Sequence, residues 1–184
     1  MKLVKILAII TLITACSNEA NSQVYFTKNG GISFFSKASL EYIQADNNQV
    51  ISIINIQSGE IRFSVLNNAF HFPKAMMEEH FNSDYMESEK FPASTFKGTI
   101  TGINKVDVSK NAVYSLTVQG DLSIHGISKP VTTTAMLNVN DGKIEGNAVF
   151  KILLKDFDIK IPSLVINNIS EKIEIRVKCI YEKK

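Results

Sequence analysis

Tryptophan is absent from this chain of 184 residues, and cysteine occurs only twice. Two cysteines are too few to staple a small disulfide scaffold. An excess of one charge is also missing. Twenty Lys and Arg stand against 18 Asp and Glu, a formal charge of +2, which excludes a nucleic-acid binder of the strongly basic kind. There is no glycine-rich phosphate loop, no C-x-x-C and no G-x-S-x-G, so three common catalytic and cofactor signatures drop out. Neither an internal repeat nor a low-complexity segment is present. Hydrophobic residues make up 45% and charged residues 21%, a balance too apolar for a disordered chain. The length suits one domain.

The amino terminus departs from the rest. Lys2 and Lys5 precede an uncharged, mostly apolar run from Ile6 to Ala15, and Cys16 follows. The run is too short to cross a hydrocarbon core, which takes about 20 helical residues. It fits the hydrophobic region of a secretory signal. Its end, Ile13-Thr14-Ala15-Cys16, resembles a bacterial lipobox. That resemblance implies cleavage before Cys16, acylation of its thiol, and a membrane-anchored lipoprotein of the bacterial cell envelope, facing the periplasm or the cell surface. An ordinary signal cut further on, near Ala20, would instead leave a soluble periplasmic or secreted protein. The organisation expected is a signal at residues 1–15, a lipidated Cys16 with a polar tether through residue 23, and one domain over residues 24–184. Cleavage removes two lysines, so the mature chain carries 18 basic and 18 acidic side chains, and the precursor's charge points to no acidic partner. Acylated Cys16 would leave Cys179 without a disulfide partner.

Most of the domain reads as strands. Ile61, Phe63 and Val65 alternate with polar residues, as do Tyr114, Leu116, Val118, Leu122 and Ile124. Ala148, Phe150, Ile152 and Leu154 share one phase, and Ile173, Ile175, Val177, Cys179 and Tyr181 another. A period of two places each set on one face of a sheet. Asn29-Gly30-Gly31, Ser58-Gly59 and Asp141-Gly142 read as turns, the last two as hairpins. Residues 73–86 break the pattern: Pro73 suits a first helical position, and Met76, Met77 and Phe81 recur at helical spacing. The fold class expected is all-β. An antiparallel, lipocalin-like barrel of about eight strands with one short helical segment would remove exposed edges. A sandwich would show the same alternation, and periodicity leaves the two unresolved.

Three segments then resemble one family. His80 to Gly98 carries a helical stretch through Glu89-Lys90-Phe91-Pro92 into a strand. Gly120-Asp121-Leu122-Ser123-Ile124-His125-Gly126-Ile127-Ser128-Lys129-Pro130-Val131 is similar to the hairpin G-x-L-T-I-H-G-V-T-K-P-V. Phe150 to Ile152, Asp156 to Ile159, Pro162 and Ile169-Ser170 form the third, with Asp158 where glycine is usual. Together they resemble the YceI family of lipid-binding, lipocalin-like bacterial envelope proteins, over about residues 30 to 182. The resemblance implies an elongated apolar cavity for a long isoprenoid chain, with that lipid as the ligand and no other cofactor.

The lining expected comprises Phe63, Val65, Phe72, Met76, Met77, Phe81, Phe96, Leu116, Val118, Leu122, Phe150, Ile152 and Phe157. The alternative is that these side chains fill a solid core, as most cores do. His125 has two readings: a ring hydrogen-bonded to the protein, or a contact to a lipid head group. His71 and His80 flank Glu78 and Glu79 without the i, i+4 histidine pair of a zinc helix, so no metal site is expected. Ser94 and Lys97 spell S-x-x-K, but on a strand they point to opposite faces. Asp156 and Asp158, placed together on one strand face, read as turn residues. No catalytic residue is expected, and the partners are an isoprenoid-type lipid and, through the acyl anchor, a membrane, without nucleic acid. A lipid-modifying enzyme using His125 and a ligand-free tethered module remain open, as do the oligomeric state and a dimer.

Overall fold

The computed structural model describes residues 23–184. The expected signal at residues 1–15, and the lipidation and tether expected over residues 16–22, lie outside the described residues.

Eight strands form the body: β1 (Val24–Lys37), β2 (Tyr42–Asn55), β3 (Glu60–Leu66), β4 (Ala93–Thr101), β5 (Ala112–Ile124), β6 (Ile127–Asn140), β7 (Lys143–Leu153) and β8 (Lys172–Lys183). Each pairs antiparallel with the next, and β8 pairs back with β1, closing a barrel. The sandwich alternative is thereby excluded. Closure follows from the chemistry of the strands, since one apolar face per strand is best buried when no edge is left over. Among the described residues there is a single α-helix, α1 (Ala75–His80), in the β3–β4 connection. No helix among the described residues is long and apolar enough to cross a membrane.

Tight turns set the register. His125 and Gly126 have φ of 51° and 76°, and Asp141 and Gly142 have 48° and 75°. Two successive positive φ values make the type I′ hairpin that matches strand twist. The Ser58-Gly59 link is a hairpin as expected, closed by the Gly59 N–H donating to the Asn55 carbonyl at 2.8 Å. Asn29-Gly30-Gly31 is a correction. These residues lie inside β1, at a bulge where the register slips on both sides of Gly30. A Cβ on Gly30 would stand 2.6 Å from Cys179 Sγ, so this glycine serves a close approach rather than a turn.

Two smaller expectations also change. Pro73 lies before the helix, whose N-cap is Lys74. Here the Phe72 N–H donates to the Glu78 carboxylate at 3.1 Å, which holds the entering chain extended. After α1 the chain widens into one π turn over Phe81–Tyr85. Asp156 is not on a strand with Asp158: β7 ends at Leu153, and Leu154–Phe157 form a single 3-10 turn.

Asp158 closes that turn at φ 53°, a left-handed conformation that disfavours side chains other than glycine's. Its side chain is exposed and 3.8 Å from Lys160, a surface pair of little worth. Asp158→Gly is therefore expected to stabilise the fold by about 0.5–1 kcal/mol, read as a raised midpoint in urea with unchanged m-value.

One end of the barrel is closely packed. Ile54, Leu137, Val139, Ile144 and Tyr181 are each at most 1% exposed there, and Ile54, Leu137 and Tyr181 border only a small cavity of about 90 Å³. The Tyr181 hydroxyl shares a hydrogen bond with Ser52 at 2.8 Å. Burial pushes the neighbouring Cys179 thiol up to about 11, so it stays protonated and unreactive at neutral pH.

Candidate ligand cavity

The other end is hollow. A cavity of about 340 Å³ opens between the ends of β1, β3, β5 and β7, α1, and the segment joining β7 to β8. Its wall is almost wholly aliphatic and aromatic. The sequence explains why it stays open. Inward strand positions near this end carry Ile32, Phe34, Val65, Ile152 and Ile175, and α1 bridges the rim instead of plugging it. Met77 and Phe81 turn inward, and Phe81 joins a ring cluster with centroids 5.4 Å from Phe34, 5.6 Å from Phe70 and 5.1 Å from Phe72. The base of this connection is pinned by Asn67, fully buried. Its amide donates to the Phe91 carbonyl at 2.6 Å and accepts from Ser94 Oγ at 2.8 Å.

Polar groups gather at the mouth. Glu41, His80 and Asn168 border the cavity. Glu41 holds two other rim segments together, accepting from Lys74 Nζ at 3.0 Å and from Asn168 Nδ2 at 3.3 Å. Beside it the Leu40 N–H donates to the Asn167 carbonyl at 3.1 Å. The Lys74 hydrogen bond, then that of Asn168, holds the Glu41 carboxyl below its ordinary value. A depressed carboxyl stabilises the fold above its unfolded pKa, and that contribution disappears as pH falls through the folded value. The clasp is thus expected to be intact at neutral pH and to open only below the usual glutamate range of about 4.3. An NMR titration should show a Glu41 midpoint under that value, moving upward in Lys74→Ala, with the Leu40 amide following the same curve.

Of the lining residues expected from sequence, Val65, Phe72, Met77, Phe81, Leu122, Phe150 and Ile152 border this cavity. Phe63, Phe96 and Val118 border a second, smaller one of about 90 Å³ deeper in the barrel, which Leu122 and Phe150 also touch. Three residues border neither and are corrected. Met76 is 70% exposed on the outer side of α1, because successive helical residues point about 100° apart and Met77 takes the inward direction. Leu116 is buried in the closely packed cluster at the opposite end of the barrel. Phe157 is 2% exposed and packs among Met86, Leu122, Ile124 and Ile159 behind the wall.

His125 has a protein partner on each ring nitrogen and is not among the residues that border the cavity. Its Nδ1 meets the Phe157 carbonyl at 3.2 Å and its Nε2 the Glu87 carboxylate at 3.0 Å, and its ring lies 4.6 Å from that of Phe91. It thereby ties the β5–β6 turn to two loops, outside the cavity wall. His71 is 3.5 Å from Glu78 and His80 is 2.8 Å from Asp84, two separate pairs. Among the described residues no cluster of three or more His, Cys, Asp or Glu is placed to hold a metal. Ser94 faces the cavity, while Lys97 is exposed outside.

Sequence reasoning missed Phe34, Phe70, Ile43, Ile159, Val165 and the polar rim. Ile32, Phe34 and Ser36 alternate in β1, which is a readable signal. The residues of the β7–β8 segment carry no period and gave none.

A family profile for the YceI-like domain matches residues 17–180. The chain belongs to this family. Protein YceI of Escherichia coli O17:K52:H18 is 37% identical over 93 residues, covering 47% of this chain and 44% of that protein. The UPF0312 protein of Shewanella denitrificans is 29% identical over 115 residues, covering 57% and 55%. The chain thus spans about half the length of the curated relatives it matches. The YceI-like barrel extends to solved structures. A polyisoprenoid binding domain from Saccharophagus degradans, implicated in plant cell wall breakdown, superposes with a TM-score of 0.78 at 13% identity, over 88% of this chain and 99% of that one. Burkholderia cenocepacia BcnA gives 0.68 at 16%, over 83% and 96%. At these identities the likeness concerns the fold.

Proposed function

We propose that this YceI-like domain binds and carries, without covalent chemistry, an amphiphile with a long apolar tail, of the polyisoprenoid or isoprenoid-quinone class. The observation that carries this reading is a cavity of about 340 Å³ walled mainly by hydrocarbon and aromatic groups, with Glu41, His80 and Asn168 at its mouth and the polar side chains of Ser36, Asn67 and Ser94 engaged in hydrogen bonds within the protein. Binding sites for small molecules have this build. Burying a tail yields about 25 cal/mol per Å² of apolar area, so the wall needs no charged contact. Glu41, His80 and Asn168 would meet a polar head group at the rim. The Saccharophagus degradans domain, described as polyisoprenoid binding, supports the ligand class by analogy of fold.

The lipobox-like Ile13-Thr14-Ala15-Cys16 supports a carrier tethered to the bacterial envelope by an acylated Cys16, with the periplasm or cell surface as its compartment. A diacylglyceryl mass on Cys16, lost in Cys16→Ser, would test the anchor. Native mass spectrometry of the protein from a bacterial host, set beside an organic extract, tests the cargo. A stoichiometric adduct released on denaturation, with isoprenoid mass spacing in the extract, is the expected result. A bare protein that also takes up no added polyprenol would refute lipid binding.

A further inference from the structure

The two cavities adjoin, and Leu122 and Phe150 line both. Phe63 on β3 and Phe96 on β4 are register partners, and Phe96 is the partner of Leu122 on β5. Three neighbouring strands therefore present Phe63, Phe96 and Leu122 at one height, with Phe150 contributed by β7. Leu122 and Phe150 touch both cavities, whereas Phe63 and Phe96 border only the deeper one. The two phenylalanine rings meet edge to face at 6.3 Å, a geometry that favours a fixed pair over two independent rings. Phe96 is held low by an unusual neighbourhood. Gly98 and Gly120 face each other across β4 and β5, and a Cβ on either would come within 2.8 Å of the Phe96 ring. The ring thus lies over two glycines, on the side of the deeper cavity.

We propose that the Phe63–Phe96 pair is a depth stop that sets the length of apolar tail this domain prefers. The inference rests on the reading of the upper cavity as a tail site. A tail that fills the upper cavity ends against Leu122 and Phe150. A longer one has to pass between these two side chains into the deeper space, where it meets the Phe63–Phe96 pair. Removing the Phe96 ring enlarges that space, and each additional buried carbon then favours the longer tail.

The test offers the full chain carrying Cys16→Ser an equimolar ladder of polyprenols of increasing length and reads bound masses by native mass spectrometry. The unaltered cavity is expected to show a sharp upper length limit. Phe96→Ala should shift the preferred tail by at least one isoprene unit and raise the ratio of long to short tails about tenfold or more. Phe63→Leu keeps more packing and should shift it the same way, which covers a failure of Phe96→Ala to fold. Ala148→Leu, placed in the Phe96→Ala background, refills the deeper cavity and should cancel the shift. Binding without a length limit, or an unchanged ladder in both phenylalanine variants, overturns the depth stop and leaves lipid binding standing. Uptake of no polyprenol of any length overturns both.

Discussion

Ile152→Asp is expected to weaken tail binding by at least about a hundredfold while leaving the barrel folded. Ile152 lies on β7 opposite Ile173 of β8 and is only half-buried, since its side chain borders the cavity. In the free protein, water in a space of about 340 Å³ can hydrate a carboxylate there. Tail entry expels that water and leaves the charge against hydrocarbon. An unpaired buried carboxylate costs several kcal/mol even after relaxation, and about 2.8 kcal/mol is already a hundredfold in Kd. The same desolvation raises the carboxyl's pKa in the complex. The neutral form therefore binds better, and affinity should recover as pH falls. Ile152→Ala removes only a few methyl and methylene groups and should cost far less. Titration with one polyprenol at pH 8 and pH 5, beside thermal melts, checks this. Equal binding by Ile152→Asp and the unaltered protein would mean the tail does not pass this wall.

The parts of the fold that were legible in sequence share one property: their signal is local. The period of two in β5 and β8, and the Ser58-Gly59 and Asp141-Gly142 turns, follow from backbone sterics of adjacent residues. Closure of the barrel does not, because β1 and β8 pair across the whole chain. Asn29-Gly30-Gly31 misleads for the same reason. Glycine at a bulge and glycine in a turn look alike until Cys179 is seen beside Gly30. The cavity divides in the same way. Val65, Phe150 and Ile152 sit on periodic strands and were readable as one inward face. Whether an inward face meets a void or a solid core depends on what lies across the barrel. Leu116 and Leu122, in phase on the same strand, therefore end up in different surroundings. The rim is the least legible part. Glu41, Lys74 and Asn168 come from three distant segments, and only their meeting at 3.0 and 3.3 Å makes them a unit.

Phe81→Ala is expected to destabilise the domain by about 3 kcal/mol, against at most about 0.5 kcal/mol for Met76→Ala. Both residues belong to one helical segment, and sequence alone gave them the same role. Phe81 is the hub of four rings: Phe34 stacks on it at 26°, while Phe70 and Phe72 meet it at 66° and 51°. Truncation of a fully buried phenylalanine costs about 3–5 kcal/mol. The lower end applies because Phe81 also faces the cavity and is not completely enclosed. For a domain of this size the loss corresponds to about 6–12 °C in Tm. Met76 is 70% exposed and leaves no void when shortened. Phe81→Leu should restore much of the difference, since the site needs apolar bulk first and ring geometry second. The ring cluster is also what holds α1 over the cavity, so Phe81→Ala should speed the release of a bound tail more than it alters the final Kd. A stopped-flow displacement experiment separates these two quantities. If release and stability were both unaffected, the helix would have to be held by its rim contacts through Lys74 rather than by the aromatic cluster.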